Sequence, residues 1–298
     1  MAYVMTEQAE PAAHRMLSAS IDRWTGRWIG RWIDRRLDGF ADFRERFWLA
    51  DYAVLALAVA LFARLLLLPA DVEASLPDLR GYEPDVRKEM FLDFLAPIAV
   101  SVNEELLRDR RVIEAMAMKL GAGDELSWLD RMRLDGLAER YDVDVDIDGA
   151  GSDREVIDTL LRRADVIPVG LTLAQAAIES GWGTSRFAID GNNLFGQRCY
   201  RAGCGLEPQD AGDDPGFYVA EFSSVRASVE SYALNLNSHP RYRSLRRIRE
   251  SLRADGEEPT TAALTKGLAA YSERRGDYME DVRTVIDQND LDELEARL

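Results

Sequence analysis

The sequence predicts a mainly α-helical protein carried behind a single membrane-spanning helix. Three observations predict it. An apolar run occupies residues 52–70, apolar residues recur at three- and four-residue intervals in several stretches after it, and 47% hydrophobic content in 298 residues is ample for a real core.

The run "YAVLALAVALFARLLLLPA" is interrupted by one charge, Arg64. At ~1.5 Å per residue its nineteen positions span about 28 Å, close to the roughly 30 Å hydrocarbon core of a bilayer. Arg64 lies toward the end, where a long side chain reaches the interface. Arg31, Arg35, Arg36, Arg44 and Arg46 precede the span, whereas Arg80, Arg87 and Lys88 follow it, which predicts a cytoplasmic N-terminus. Nearly fifty residues come first, a poor fit to a removable signal peptide. The expected division is a cytoplasmic Trp/Arg-rich tail at 1–47, a transmembrane anchor at 48–70, a helical lead-in region at 71–155 and a chemistry-bearing domain at 156–298. The expected localisation is the inner membrane, with everything after about residue 70 periplasmic or otherwise outside the cytoplasm. In the tail, Trp24, Trp28 and Trp32 alternate with Arg23, Arg27, Arg31 and Arg35, an aromatic stripe bordered by cations that suits an anionic membrane face.

From about Lys88 to Tyr141 the chain reads helical, with an interruption expected at Pro97. A further pattern, "SDREVIDTLLRRA", leads through Pro168 to a helix expected over roughly Leu171 to Ser180. Between them "DVDIDGAGSDRE" satisfies a calcium-loop spacing, with Asp144, Asp146 and Asp148 as acids and Glu155 as a bidentate ligand. Ser152 and Glu155 are also a complete S-x-x-E capping pair, and an acidic linker ending in a helix cap explains the stretch without a metal. No cofactor is expected.

The formal charge is −16; residues 1–70 hold nine Arg against eight acids, so the rest carries −17. That balance argues against nucleic acid as a partner. The two cysteines, Cys199 and Cys204, stand in "CYRAGCG", and with only two His in the chain a zinc site lacks ligands. A small disulfide is the better reading if the segment lies outside the cytoplasm.

The chemistry concentrates in "LTLAQAAIESGWGTSRFAIDGNNLFGQ", Leu171 to Gln197. Glu179 closes a helix of small apolar residues and is followed by Gly181, Trp182 and Gly183. At a helix C-terminus the macrodipole disfavours a carboxylate, by ~0.3–1 kcal/mol, so any sizeable upward shift has to come from exclusion of water. A glutamic acid kept protonated near neutral pH is what donation to a leaving sugar oxygen requires. An isolated helix-end Glu, by itself, is an ordinary solvated residue.

The stretch "AQAAIESGWGTSRFAIDGNNLFGQRCYRAGCG" resembles the central motif of glycoside hydrolase family 73, the bacterial glucosaminidases, in its Bax-type branch. "FSSVRASVESYALNLNSHPRY" and "GLAAYSERRGDYMEDVRTVIDQNDL" resemble the family's two later segments in the same order. The resemblance is strong over about 156–291, and "FLAPIAVSVNEELLRDRR" looks more loosely like the Bax-type lead-in. It implies a mainly α, α+β lysozyme-like domain that hydrolyses the β-1,4 bond after N-acetylglucosamine in the glycan strands of peptidoglycan. Glu179 falls on the family's catalytic acid, and Tyr271 on a tyrosine important for catalysis or for positioning the sugar. Asn192, Asn193 and Phe195 belong to the signature that shapes the cleft wall. Trp182, Phe195 and Tyr200 are aromatic rings suited to pyranose faces, and Gln197 follows the signature directly.

A second carboxylate is less legible: Glu207, Asp210, Asp213, Asp214 and Glu221 lie in an acidic loop, and the substrate's N-acetyl group could serve as nucleophile instead. Tyr232, spaced with Val225, Val229 and Leu236 on one face, is expected in the core. His239 is expected to end a helix. The competing readings are a non-catalytic envelope protein that binds glycan or a partner, and a lytic transglycosylase.

Overall fold

The computed structural model describes residues 76–143, 151–208, 216–269, 271 and 276–297. All of them belong to one compact unit, Val72–Leu298. The tail, the apolar run at 52–70 and the acids Asp144, Asp146 and Asp148 lie outside the described residues. Among the described residues no helix is long and apolar enough to cross a membrane, and no cluster of three His, Cys, Asp or Glu side chains could hold a metal.

The fold is mainly helical with one small sheet. Helix α1 runs Pro84–Gly121 and α2 Trp128–Arg140, followed by α3 at Asp153–Arg163, α4 at Val169–Ser180 and the short α5 at Arg186–Gly191. Three short strands, β1 (Arg198–Cys199), β2 (Gly205–Leu206) and β3 (Tyr218–Ala220), form an antiparallel sheet in the order β1-β3-β2. Then come α6 (Val225–Ser238), α7 (Arg243–Ala254), α8 (Thr261–Thr265), α9 (Gly276–Gln288) and α10 (Leu291–Arg297).

Pro97 does not interrupt α1, which continues through it for 38 residues. Pro97 is exposed. On that face the carbonyl left without a donor turns to water, while Leu95, Ala96, Ala99 and Val102 on the other face are buried and hold the helix together. Ser152 caps α3: its hydroxyl accepts from the Glu155 N–H and lies 2.9 Å from the Glu155 carboxylate. Ser127 and Asp130 close a full capping box on α2. His239 ends α6, its Nδ1 accepting from the Arg241 N–H at 3.2 Å.

At the centre lies α4, with every residue from Val169 to Ala177 buried. Its sequence, VGLTLAQAAIES, is apolar on all sides, as a helix surrounded by others must be. It packs against α1, α8, α9 and α10. Its small residues permit the close approach: a Cβ on Gly170 would stand 2.9 Å from the Thr261 hydroxyl and 3.2 Å from the Leu291 carbonyl.

The segment that feeds α4 is held by buried polar groups. Arg249, only 1% exposed, donates to the carbonyls of Arg162, Arg163, Asp165 and Val166 and to Asn237 Oδ1. It thereby satisfies carbonyls that the end of α3 leaves without partners. Burial pulls Arg249 down to about 10, against the opposing charge of Asp165. Asp165 is itself buried and accepts from Arg253 at 2.9 and 3.1 Å, with Arg110 3.2 Å away.

Candidate active site

The end of α4 is built by its own residues. Ser180 donates to the Ala176 carbonyl at 2.6 Å and accepts from the Gly183 N–H at 2.8 Å. Gly181, Trp182 and Gly183 are all left-handed, with φ of 59°, 58° and 75°. Two glycines adopt that conformation freely; Trp182 is held in it by its N–H to the Ala177 carbonyl at 2.8 Å and by the packing of its ring. The ring meets Phe91 of α1 edge to face, centroids 5.8 Å apart, with the Lys88 ammonium 5.4 Å from its centre. A Cβ on Gly183 would stand 2.6 Å from Leu76 and 3.1 Å from Phe91, so the turn sits hard against the lead-in region.

This turn fixes Glu179 one residue before the helix ends, half-buried. Its carboxyl is pushed above the ordinary glutamate range by burial, partly offset by the nearby Tyr278 hydroxyl. Gly196 lies beside it, where an added Cβ would be 3.8 Å from Glu179 Oε2. Four tyrosines sense the charge of Glu179: Tyr232, Tyr242, Tyr271 and Tyr278. Burial is the first cause that raises each of them above the ordinary phenol range, so all four stay neutral where a glutamate titrates.

The tyrosines are packed together. Tyr271 stacks on Tyr278 with centroids 5.3 Å apart and planes 10° apart, and it lies 6.0 Å from Tyr242. Its hydroxyl points to the Phe195 carbonyl at 3.3 Å. Phe195 in turn stacks on the fully buried Tyr232 at 4.0 Å. Glu179, Phe195, Gly196 and Tyr271 are thus brought together.

The two asparagines do a different job. Asn193 is 1% exposed; its amide donates to the carbonyls of Gln197 and Ala220, and its oxygen accepts from the N–H groups of Phe195 and Gln197. Its bonding capacity is spent on the turn. Asn192, left-handed at φ 51°, closes α5 and donates to the Phe222 carbonyl. These residues shape the wall from within. Gln197 is the contrast: its Oε1 is buried and has no hydrogen-bond partner, the only such side-chain atom among the described residues.

Cys199 and Cys204 are joined by a disulfide that closes the loop between β1 and β2. Tyr200, inside that loop, is 76% exposed. Of the acidic loop, Glu207 and Glu221 are exposed, and Asp210, Asp213 and Asp214 fall outside the described residues. The concavity lined by Arg110, Asp158, Arg162, Asp165, Arg249 and Arg253 is a separate feature, in which Arg110, Arg249 and Arg253 are engaged with Asp165 and Arg249 also with backbone carbonyls.

Sequence comparison decides the family. The family model described as mannosyl-glycoprotein endo-beta-N-acetylglucosaminidase (Glucosaminidase) matches residues 155–291. Over 207 residues the chain is 37% identical to Protein bax of Escherichia coli (strain K12), covering 69% of this chain and 71% of that one. The chain belongs to glycoside hydrolase family 73, in its Bax-type branch. Among solved structures, the catalytic domain of the autolysin Auto from Listeria monocytogenes aligns at 18% identity, covering 62% of this chain and 86% of that one, with a TM-score of 0.33. In this glucosaminidase-family chain, Tyr278 is the contact that sequence reasoning missed. The available signal was the second tyrosine of "AYSERRGDY", seven residues after Tyr271.

Proposed function

We propose that this protein is an N-acetylglucosaminidase that hydrolyses the β-1,4 bond after N-acetylglucosamine in peptidoglycan, with Glu179 as general acid. The observation that carries the reading is the half-buried Glu179 carboxyl, pushed toward its protonated form by burial and facing neutral tyrosines. In the reaction its proton passes to the bridging oxygen as the bond to the anomeric carbon breaks. The Tyr278 hydroxyl then stabilises the carboxylate left behind. Tyr271 supports Tyr278 by stacking on it. Exposed Tyr200 offers a ring to a pyranose face. In this reading the substrate's own N-acetyl oxygen serves as the nucleophile, with the neutral tyrosines around Glu179 leaving that role to the substrate.

The lysozyme-like description follows from the family resemblance. In the same reading the protein is anchored in the inner membrane by residues 52–70, with its N-terminus cytoplasmic and its site outside the cytoplasm. The Cys199–Cys204 disulfide supports an oxidising compartment.

Muropeptide mass spectrometry after digestion tests the reading. Reducing N-acetylglucosamine ends are expected; anhydro ends would make the protein a lytic transglycosylase, and an absence of products would make it a binding protein. Glu179→Gln is expected to lose cleavage while remaining folded, and retained cleavage would remove Glu179 from the acid role.

A further inference from the structure

We propose that Arg198 is a specificity-determining residue: its guanidinium, mounted over the Phe217 ring at the edge of the site, takes a carboxylate carried by the glycan and so favours strands that contain muramic acid over neutral oligosaccharides. The proposal rests on peptidoglycan being the substrate and deepens that reading.

Arg198 opens β1 on a backbone tied down on both sides. It pairs with Val219 of β3; the Gln197 carbonyl before it accepts from the Ala220 N–H at 2.8 Å, and Cys199 after it is held by the disulfide. Opposite residues of an antiparallel pair share a face, as do residues two apart along a strand, so the Arg198 side chain lies on the Val219 and Phe217 side. Its guanidinium carbon stands 4.2 Å from the centre of the Phe217 ring. A long side chain already resting on a ring loses less freedom when a ligand arrives.

The donors of that guanidinium are unspent. Arg198 is exposed, and among the described residues no hydrogen bond or ion pair engages it. Glu207 and Glu221, exposed acids of the same region, do not pair with it. Its five N–H groups, set in a planar fork, therefore face solvent. Buried Arg249, by contrast, is consumed by carbonyls, and Arg253 by Asp165 and Glu258. Other exposed arginines, such as Arg111 and Arg133, also lack a partner; Arg198 differs in resting on a ring and in standing on the strand that leads away from the acid. Gly196, two residues before it, is where an added Cβ would be 3.8 Å from Glu179 Oε2. Tyr200, two residues after it, is the exposed ring assigned to a pyranose. Two residues span at most about 7 Å, so the cation sits along the chain between acid and ring, within reach of a group on the bound strand.

The chemistry of the strand supplies the ligand. A run of N-acetylglucosamine is neutral. Muramic acid adds a lactyl ether ending in a carboxyl group, either free or extended by a peptide with carboxylates of its own. A guanidinium fork meets a carboxylate with two parallel N–H···O bonds, charge-assisted and oriented, which a sugar hydroxyl does not match. In a region carrying −17, a cation at this place also offsets repulsion of an anionic polymer.

The test measures binding by calorimetry in the full chain in detergent, with Glu179→Gln present throughout so that ligands are not cut. The probes are N-acetylglucosamine oligomers, glycan fragments with peptide-free muramic acid, and the same fragments bearing stem peptides. At least one muramic-acid probe is expected to bind about tenfold more tightly than the neutral one at low salt, and the ratio is expected to shrink as salt rises. Adding Arg198→Gln is expected to bring the ratio close to one. Arg198→Lys, which keeps the charge without the fork, is expected to fall between, as is Phe217→Leu, which removes the ring. Tight binding of the peptide-free probe assigns the lactyl carboxylate as the ligand; tight binding of the peptide-bearing probe alone assigns the peptide.

A ratio unmoved in folded Arg198→Gln overturns the proposal, and so does a neutral probe bound as tightly as the other two. Should that variant fail to fold, an unmoved ratio in Phe217→Leu overturns it. Muropeptide release is read separately in the protein with Glu179 intact. Carboxylate-selective binding by a chain that releases no products sinks the hydrolase reading alone, whereas release of products by a chain whose Arg198→Gln variant keeps the full ratio sinks this inference alone. Failure to bind any of the probes sinks both.

Discussion

The side chain of Asn103 on α1 brackets the backbone of Ile167: its amide donates to the Ile167 carbonyl at 2.7 Å and its oxygen accepts the Ile167 N–H at 3.1 Å. Ile167 is 1% exposed and stands two residues before α4, so these bonds set where the central helix begins. Asn103→Ala leaves both backbone groups unpaired in a dry place and is expected to destabilise the protein by about 2–3 kcal/mol in urea unfolding. Asn103→Asp, which keeps the acceptor but loses the donor, is expected to fall between.

Glu179→Gln is expected to raise the thermal midpoint at neutral pH while abolishing cleavage. The folded carboxyl lies above its unfolded value because burial disfavours the charge. The folded state therefore binds the proton more tightly, and the stability this brings is present below the unfolded value and lost as pH rises through the folded one. Glutamine removes that loss. The advantage of the variant is expected to vanish as pH falls below the ordinary glutamate range, which calorimetry across pH would check.

Gln197→Met removes an acceptor that no protein group satisfies. Its melting temperature is expected to hold or to rise slightly in thermal unfolding, because no hydrogen bond is lost and a buried polar atom is removed. A clear fall in melting temperature would show that the oxygen is bonded in the folded protein.

Asp165→Asn is expected to cost about 3–5 kcal/mol at neutral pH, because Arg249, Arg110 and Arg253 lose their shared counter-charge. Burial alone would raise Asp165; the Arg253 hydrogen bond and the charges of Arg249 and Arg110 outweigh it and hold the carboxyl below its ordinary range. Its stabilisation is thus present above the unfolded value and lost as pH falls through the folded one. Wild type is expected to unfold in acid over a range where Asp165→Asn changes little, as circular dichroism against pH would show.

Much of this architecture is legible in the sequence, and the remainder has identifiable reasons. The helix over Leu171–Ser180 is readable from its composition; it starts at Val169 because Pro168, unable to donate, serves as its N-cap. Pro97 reads as a break but is tolerated, since exposure on one face is a tertiary fact that periodicity does not carry. The spacing that assigns Tyr232 to the core holds, as that residue is fully buried.

At the site, the acid and the NNLFG turn can be read locally, and the partners of the acid cannot. Tyr278 reaches Glu179 across 99 positions, and no local pattern records such a contact. Gln175 did offer a clue, being a lone amide within an apolar helix one turn before the acid. A buried amide requires partners, which are Tyr232 and Tyr278.

Helix α1 lies outside the stretch 155–291 that the family match covers, yet it shares its core with α3, α4 and α6. A recombinant fragment cut at the family boundary would strip α3, α4 and α6 of the apolar face they share with α1, and would lose the Phe91 wedge behind Trp182. Such a fragment should collect in inclusion bodies, and co-expressing residues 76–121 as a separate peptide should bring it back into solution.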